Sequence, residues 1–381
     1  MFSNTVAVSA QREYDADKIA YIIANHFVSL GIGASLFEGK KVVIKPNLVM
    51  KKSPDAAATT HPAMLEGLLK VLNGFGVKPT IAESPGGVYS AARLDGVYRG
   101  CGIDKPSEKY GAVLNYDVDA ERVDFDGELV KSFNIIKPIA DADVIIDICR
   151  LKSHSLTTMS AAVKNLFGTV PGIEKFEAHA AYPDYADFNR MLCDLCLMHC
   201  TKKSVIAITD AIVCMEGNGP TAGSPKEIGY ILTSKNPFAS DLLAERIIGF
   251  EGKVPSVEIS RRRGLCPQSA DELEILGDIP QTAENFAQPD TSGGGSVKAL
   301  TFFSRGKIGR LFMPKPYATS DCRACGECVR SCPKKTITLQ NGKARINVSN
   351  CIRCFCCQEL CPFKAIKIKR NFITRLVGNI K

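Results

Sequence analysis

The sequence predicts an α/β fold, a mostly parallel sheet with flanking helices, followed by a small C-terminal α+β module. Three observations predict it. Short apolar runs of the buried-strand type alternate with amphipathic helical stripes through most of the chain. A stretch rich in Gly and Pro, Gly277 to Ser296, interrupts that pattern and reads as a linker. Beyond it, eight cysteines fall in two runs of one spacing. We place the boundary near Pro314, dividing residues 1–314 from residues 315–381. At 381 residues and 45% hydrophobic content, the chain is long enough for one large core and a small second one.

The elements follow in order. Thr5 to Ala10 reads as a first strand, and the apolar stripe Ile19, Ile22, Ile23, Phe27 and Leu30 as a helix ending near Gly31. Lys41 to Ile44 is a buried-type strand running into Lys45-Pro46-Asn47. His61-Pro62 opens a helix through Leu72, and Thr80 to Ala82 is a strand with Glu83-Ser84-Pro85-Gly86 as its exit loop. Val123 to Ile136, with Asp126-Gly127 inside it, reads as a hairpin. Val144 to Cys149 is a buried strand that Arg150 to His154 leave at its carboxyl end. Thr157 or Thr158 is expected to cap a helix over Met159 to Phe167. A helix from Tyr185 to Lys202, strands at Ser204 to Thr209 and Gly229 to Thr233, and a helix from Pro237 to Ile248 complete the large unit.

The C-terminal cysteines read Cys322-x-x-Cys325-x-x-Cys328-x-x-x-Cys332-Pro333, then Cys351-x-x-Cys354-x-x-Cys357-x-x-x-Cys361-Pro362. Three thiolates spaced by three wind around one small object, and the fourth is supplied from the other run. Two full runs, each closed by Cys-Pro with no His between them, favour cubane clusters over zinc knuckles. Thr336 to Leu339, Asn341-Gly342 and Ala344 to Val348 add a tight hairpin. Ala365 to Lys369 alternates apolar and charged residues, with Ile366 and Ile368 expected to face the clusters. The stretch 316–370 resembles a bacterial-type two-[4Fe–4S] ferredoxin domain. The expected wiring is Cys322, Cys325, Cys328 and Cys361 on one cluster, and Cys351, Cys354, Cys357 and Cys332 on the other. Cys356 is out of step with the spacing and is expected to be a free thiol.

Charge and thiol usage narrow the setting. The chain carries a net charge of +8. Residues 315–381 hold 14 Lys/Arg and 3 Asp/Glu, a net of +11, so the rest is 8 − 11 = −3. A basic cluster module suits an acidic electron donor such as a free ferredoxin or flavodoxin. Nucleic acid is disfavoured because no reading motif accompanies the charge. Sixteen cysteines, with no export signal at the start and no run of membrane-spanning length, point to a reducing cytoplasm and a low-oxygen setting.

Ligands of open α/β sheets sit beyond the carboxyl ends of the strands. Lys45, Asn47, Glu83, Ser84, Lys152, His154, Asp210 and the Glu216 to Pro220 loop gather there. Lys152 and His154, two apart in an extended segment, can point one way. The helix expected right after them brings Lys164 and Asn165, with its own amides free for an anion, and Lys175 and His179 follow. The constellation Lys152, His154, Lys164 and Asn165 suits an unidentified anionic small molecule. Glu83, Asp210 and Glu216 are candidates for orienting the lysines or for a metal.

Lys45-Pro46-Asn47-Leu48-Val49, Thr60-His61-Pro62, Glu83-Ser84-Pro85-Gly86, Leu151-Lys152-Ser153-His154, Lys164-Asn165-Leu166-Phe167-Gly168 and Glu216-Gly217-Asn218-Gly219-Pro220 together resemble family 362 of the domains of unknown function over about residues 40–250. That resemblance implies the α/β architecture, a C-terminal ferredoxin domain, and signature status for Lys152, His154, Lys164 and Asn165. It supplies no reaction.

Three remaining features are read plainly. Cys193, Cys196 and Cys200 lie on one helical face among Leu and Met and are expected to pack in the core. Gly217-x-Gly219-x-x-x-Gly223 misses the dinucleotide fingerprint. Phe372, Ile373, Leu376, Val377 and Ile380 form a basic amphipathic tail, expected to pack on its own protein rather than on a membrane. The functional expectation is a ferredoxin-coupled reductase. The alternatives are an electron-transfer docking subunit and a redox-sensing binding protein.

Overall fold

The structure is a computed structural model that describes residues 2–291 and 314–369. In chain order the large unit contributes β1 (Thr5–Ala10), β2 (Val42–Pro46), β3 (Thr80–Ile81) and β4 (Val113–Leu114), then a separate hairpin of β5 (Ala120–Asp124) and β6 (Ser132–Ile136). β7 (Val144–His154), β8 (Thr158–Ser160), β9 (Ser204–Glu216), β10 (Ser224–Ser234) and β11 (Glu274–Gly277) follow. The main sheet has the order β11-β1-β10-β9-β7-β2-β3-β4, with β8 paired to β7. It is parallel from β9 through β7, β2 and β3 to β4, and β10 runs antiparallel to both of its neighbours.

The central strand shows why the sheet is buried on both faces. Along β7, Ile145, Cys149 and Leu151 enter one apolar core, whereas Val144, Ile146 and Ile148 enter the other. Side chains alternate across a strand, so an unbroken apolar run feeds two cores at once. One core packs the helices Tyr185–Lys202, Pro237–Ile247 and Pro255–Arg262; the other packs Ala16–Ser29, Pro62–Gly74 and Ala91–Gly100. Cys193 and Cys196 belong to the first core, as their spacing predicts.

One expected element is different. No helix starts at Thr157 or Thr158. β7 continues to His154, and the chain returns as β8 with Thr158 in the left-handed region at φ 66°. The helix that follows is only Ala162–Asn165, ending in a tighter turn over Leu166–Thr169. Its first amides are already held: those of Ala162 and Val163 donate to the Asp241 carboxylate at 2.7 and 3.2 Å. The cap therefore comes from a distant residue, and no free helix end is left for an anion.

The cysteine module pairs β12 (Lys315–Ala318) with β15 (Ile366–Lys369), and β13 (Ile337–Gln340) with β14 (Lys343–Ile346). Asn341 and Gly342 both have positive φ, which is the two-residue hairpin turn that the sequence announces. Ile366 is buried against the cysteines, and Ile368 is only partly buried. The duplicated sequence is matched by a duplicated backbone. Positive φ recurs at Ala324 and Arg353, at Gly326 and Phe355, and at Lys335 and Lys364, each pair separated by the interval between Cys322 and Cys351. The amphipathic tail beyond Lys369, and the end of the linker from residue 292, lie outside the described residues.

Candidate functional site

The module docks on the carboxyl end of the large sheet. Thr221 Oγ1 donates to the Glu359 carbonyl at 2.7 Å, Gln358 Nε2 donates to the Asn218 carbonyl at 3.1 Å, and Arg93 faces Glu327 at 3.4 Å. A pocket with a cavity of about 80 Å³ lies at this junction. The large unit lines it with Lys45, Asn47, Glu83, Ser84, Lys152, His154, Lys164, Asn165, Lys175 and His179, and the module with Cys356, Glu359 and Leu360.

Strand exits position most of these groups. β2 delivers Lys45, whose ammonium donates to the Pro46 carbonyl (2.8 Å), Glu83 (2.8 Å) and Asn165 Oδ1 (2.9 Å). All three of its hydrogens are thus used. Glu83 in turn accepts from the amides of Leu48 and Ser84. Gly168 is a glycine because a Cβ there would lie 2.2 Å from Glu83 and 2.4 Å from the Lys45 ammonium. Asn165 Nδ2 completes the support by donating to Asp147 at 2.7 Å. Burial raises the Asp147 carboxyl to about 8, so it is mostly protonated at neutral pH.

β7 delivers Lys152 and His154, both buried and both lining the pocket. Lys152 donates to Asn47 Oδ1 and to the Ala58 carbonyl, each at 2.5 Å. Burial first, then the neighbouring charges of Lys164 and Arg150, lowers its pKa to about 7. Nδ1 of His154 accepts from the amides of Leu156 (3.1 Å) and Thr157 (3.3 Å). Burial, with Lys164 and Lys152 nearby, keeps the ring neutral, so its proton resides on Nε2. That nitrogen lies 3.4 Å from Glu359 Oε1.

Lys164 differs from the other lysines. Among the described residues it makes no hydrogen bond, and its ammonium lies 5.4 Å from the centre of the Phe167 ring. Burial lowers its pKa, against the attraction of Glu359. Lys175 and His179, one turn apart on the helix Gly172–Ala181, close the far wall. Lys175 donates to the Ser84 carbonyl, and burial lowers its pKa to about 7.

Two expected members are elsewhere. Asp210 accepts from Tyr14 at 3.0 and 3.1 Å and faces Arg150 at 3.4 Å, away from the pocket. Glu216 accepts from the Ala287 amide and faces Lys226. Their strands point them to other neighbours, so only Glu83 of the three acids orients a pocket lysine. Sequence reasoning missed Glu359 and the pocket position of Cys356. A signal for Glu359 existed: it is one of only three acidic residues in a strongly basic segment.

One set of the module's cysteines is gathered as a cluster requires. Cys322, Cys325, Cys328 and Cys361 line one small cavity, three from the first run and one from the second. Backbone amides donate to sulfur at Cys322 (from Ala344), Cys332 (from Thr336), Cys351 (from Arg353) and Cys361 (from Ala365), over 3.2 to 3.5 Å. Such amides favour thiolates and tune cluster potentials.

An α/β pocket unit docked to a ferredoxin-type module defines the class: an iron–sulfur electron-transfer protein. Residues 316–362 match the 4Fe-4S dicluster domain. Residues 42–245 match the domain of unknown function DUF362, and this chain belongs to that family. The thylakoid-associated protein of Synechocystis sp. is 30% identical over 273 residues, 70% of this chain and 82% of that protein. The module alone is similar to the pyruvate synthase subunit PorD of Methanothermobacter marburgensis, 33% identical over 20% of this chain and 94% of that subunit. Among solved structures, the lactate racemase apoprotein of Thermoanaerobacterium thermosaccharolyticum superposes with a TM-score of 0.39 at 15% identity, covering 64% of this chain and 56% of that one. Among the described residues no helix is long and apolar enough to cross a membrane.

Proposed function

We propose that this protein is a cytoplasmic reductase that passes electrons through two [4Fe–4S] clusters to an anionic organic substrate held at the junction of its two units. The clusters would be held by Cys322, Cys325, Cys328 and Cys361, and by Cys351, Cys354, Cys357 and Cys332, and would supply single electrons. One observation carries the reading: Lys152, His154 and Lys164 share a cavity with Cys356, whose chain neighbours Cys354 and Cys357 are assigned cluster ligands. Lys164 and Lys152 stabilise negative charge that grows on a substrate oxygen, the Nε2–H of the neutral His154 donates a hydrogen bond to it, and the lysine ammoniums supply protons that solvent restores. Lys152 and His154 are themselves buried, which strengthens their interactions with such a substrate. Electrons enter from an acidic donor on the basic module. Reduction by such a donor should slow steeply with salt, because exposed charges are screened within ~10 Å at 0.1 M.

The test uses reduced protein freed of dithionite and mixed with a panel of oxo and unsaturated carboxylates. Reoxidation of the visible cluster band by at least one of them is expected. Lys152→Ala and His154→Ala should slow it by ~10²-fold or more with iron content unchanged. If no carboxylate reoxidises the wild type faster than buffer, the chain is a docking subunit for another enzyme and not the reductase.

A further inference from the structure

The hydrogen-bonding groups left over in the pocket define the ligand more closely than its charge does. Three of the four lysines there are already engaged: Lys45 has three acceptors, Lys152 two, and Lys175 one. Four groups remain. Lys164 has no hydrogen-bond partner among the described residues, and the buried Ser84 hydroxyl has none. His154 Nε2 carries a proton, because both local amides claim Nδ1. Glu359 Oε1 is buried with no hydrogen bond, on a side chain only 12% exposed.

The last two lie side by side at 3.4 Å, too far apart to satisfy each other well. An adjacent donor and acceptor ask for a ligand group that accepts and donates at once. A carbonyl oxygen accepts only, and an ammonium donates only. A hydroxyl does both. The other two groups, an ammonium and a hydroxyl, suit a carboxylate. The cavity of about 80 Å³ holds about five to eight water-sized groups.

We propose that the pocket recognises a short hydroxycarboxylate: its carboxylate on Lys164 and Ser84, its hydroxyl between His154 Nε2 and Glu359 Oε1. The inference rests on the anion-pocket reading above and adds the hydroxyl, the group an oxo acid carries once two electrons and two protons have reduced it, and the role of the module. Half of the hydroxyl's binding site belongs to the cysteine module, so recognition requires the two units to be docked.

The test is calorimetric titration of the reconstituted full chain with butanoate, 2-hydroxybutanoate and 3-hydroxybutanoate. A hydrogen bond to a charged group contributes about 1.5–3 kcal/mol, so at least one hydroxy acid should bind more than ~10-fold tighter than butanoate. In Glu359→Leu that preference should fall to within about twofold. In Lys164→Met all three ligands should weaken together, leaving the preference in place. Equal binding of the three by the wild type overturns this inference alone and leaves the anion pocket standing. Failure of all three to bind overturns the anion pocket itself. Should Glu359→Leu lose its iron, the wild-type preference still decides. A preference that survives in an iron-replete Glu359→Leu protein removes Glu359 from the site.

Discussion

Two clusters of buried charge grow from the same strand, and they are built on opposite terms. Arg150 donates to the carbonyls of Val213 (2.8 Å) and Thr59 (3.2 Å), pairs with Asp210, and lies 5.2 Å from the centre of the Tyr14 ring. Tyr14 in turn holds Asp210 and stacks on His61 at 3.6 Å. A few residues on, Lys152 and His154 enter the pocket, where Lys164, Ser84 and Glu359 keep bonding capacity in reserve. Buried charge is common to both. What separates a structural network from a binding site is whether its donors and acceptors are already used.

The largest expected effect breaks the comparison at its structural end. Arg150→Met leaves the Asp210 carboxylate buried without its cation and should cost about 3–5 kcal/mol. Lys164→Met removes a half-buried ammonium that makes no hydrogen bond among the described residues, and should change stability by less than about 1 kcal/mol while weakening anion binding. Urea denaturation of the two variants measures this. Similar losses in both would mean that Lys164 is as structural as Arg150.

The same contrast divides two neighbouring cysteines. Cys354 is assigned to a cluster, whereas Cys356 faces the pocket. Cys354→Ser should therefore lose or convert one cluster, and Cys356→Ser should keep both. Iron and sulfide analysis with electron paramagnetic resonance is the check. Loss of iron in Cys356→Ser would make it a ligand and move the register of the second run.

The last contrast is a pH dependence. Burial lowers Lys152 and Lys175 to about 7, so their charge is complete below that value and lost as pH rises through it. Affinity for a carboxylate should then be greatest near pH 6 and fall by up to ~10-fold per pH unit for each lysine above pH 7. Binding at pH 8 should take up protons, read as a dependence of the calorimetric heat on buffer ionisation. An affinity flat from pH 6 to 9 would show that neither lysine charge reaches the ligand.

By itself the sequence determined what depends on neighbours along the chain. The cysteine runs place their sulfurs by local spacing. The Asn341-Gly342 turn follows from two residues that tolerate positive φ. β1, β2 and the helices Pro62–Gly74 and Tyr185–Lys202 follow from apolar periods and their caps. Lys152 and His154 were legible for the same reason, since they extend a recognisable strand. The tertiary structure decided whatever depends on residues distant in sequence. Asp241 reaches across 79 positions to cap Ala162 and turns the expected anion-binding helix end into a satisfied one. Gly168 leaves room for Lys45 and Glu83, which use up each other's charge. Glu359 meets His154 only because the cysteine module docks on the end of the sheet. No period or motif encodes such meetings, because a hydrogen bond is a few ångströms long and has no memory of how far apart its partners lie in the chain.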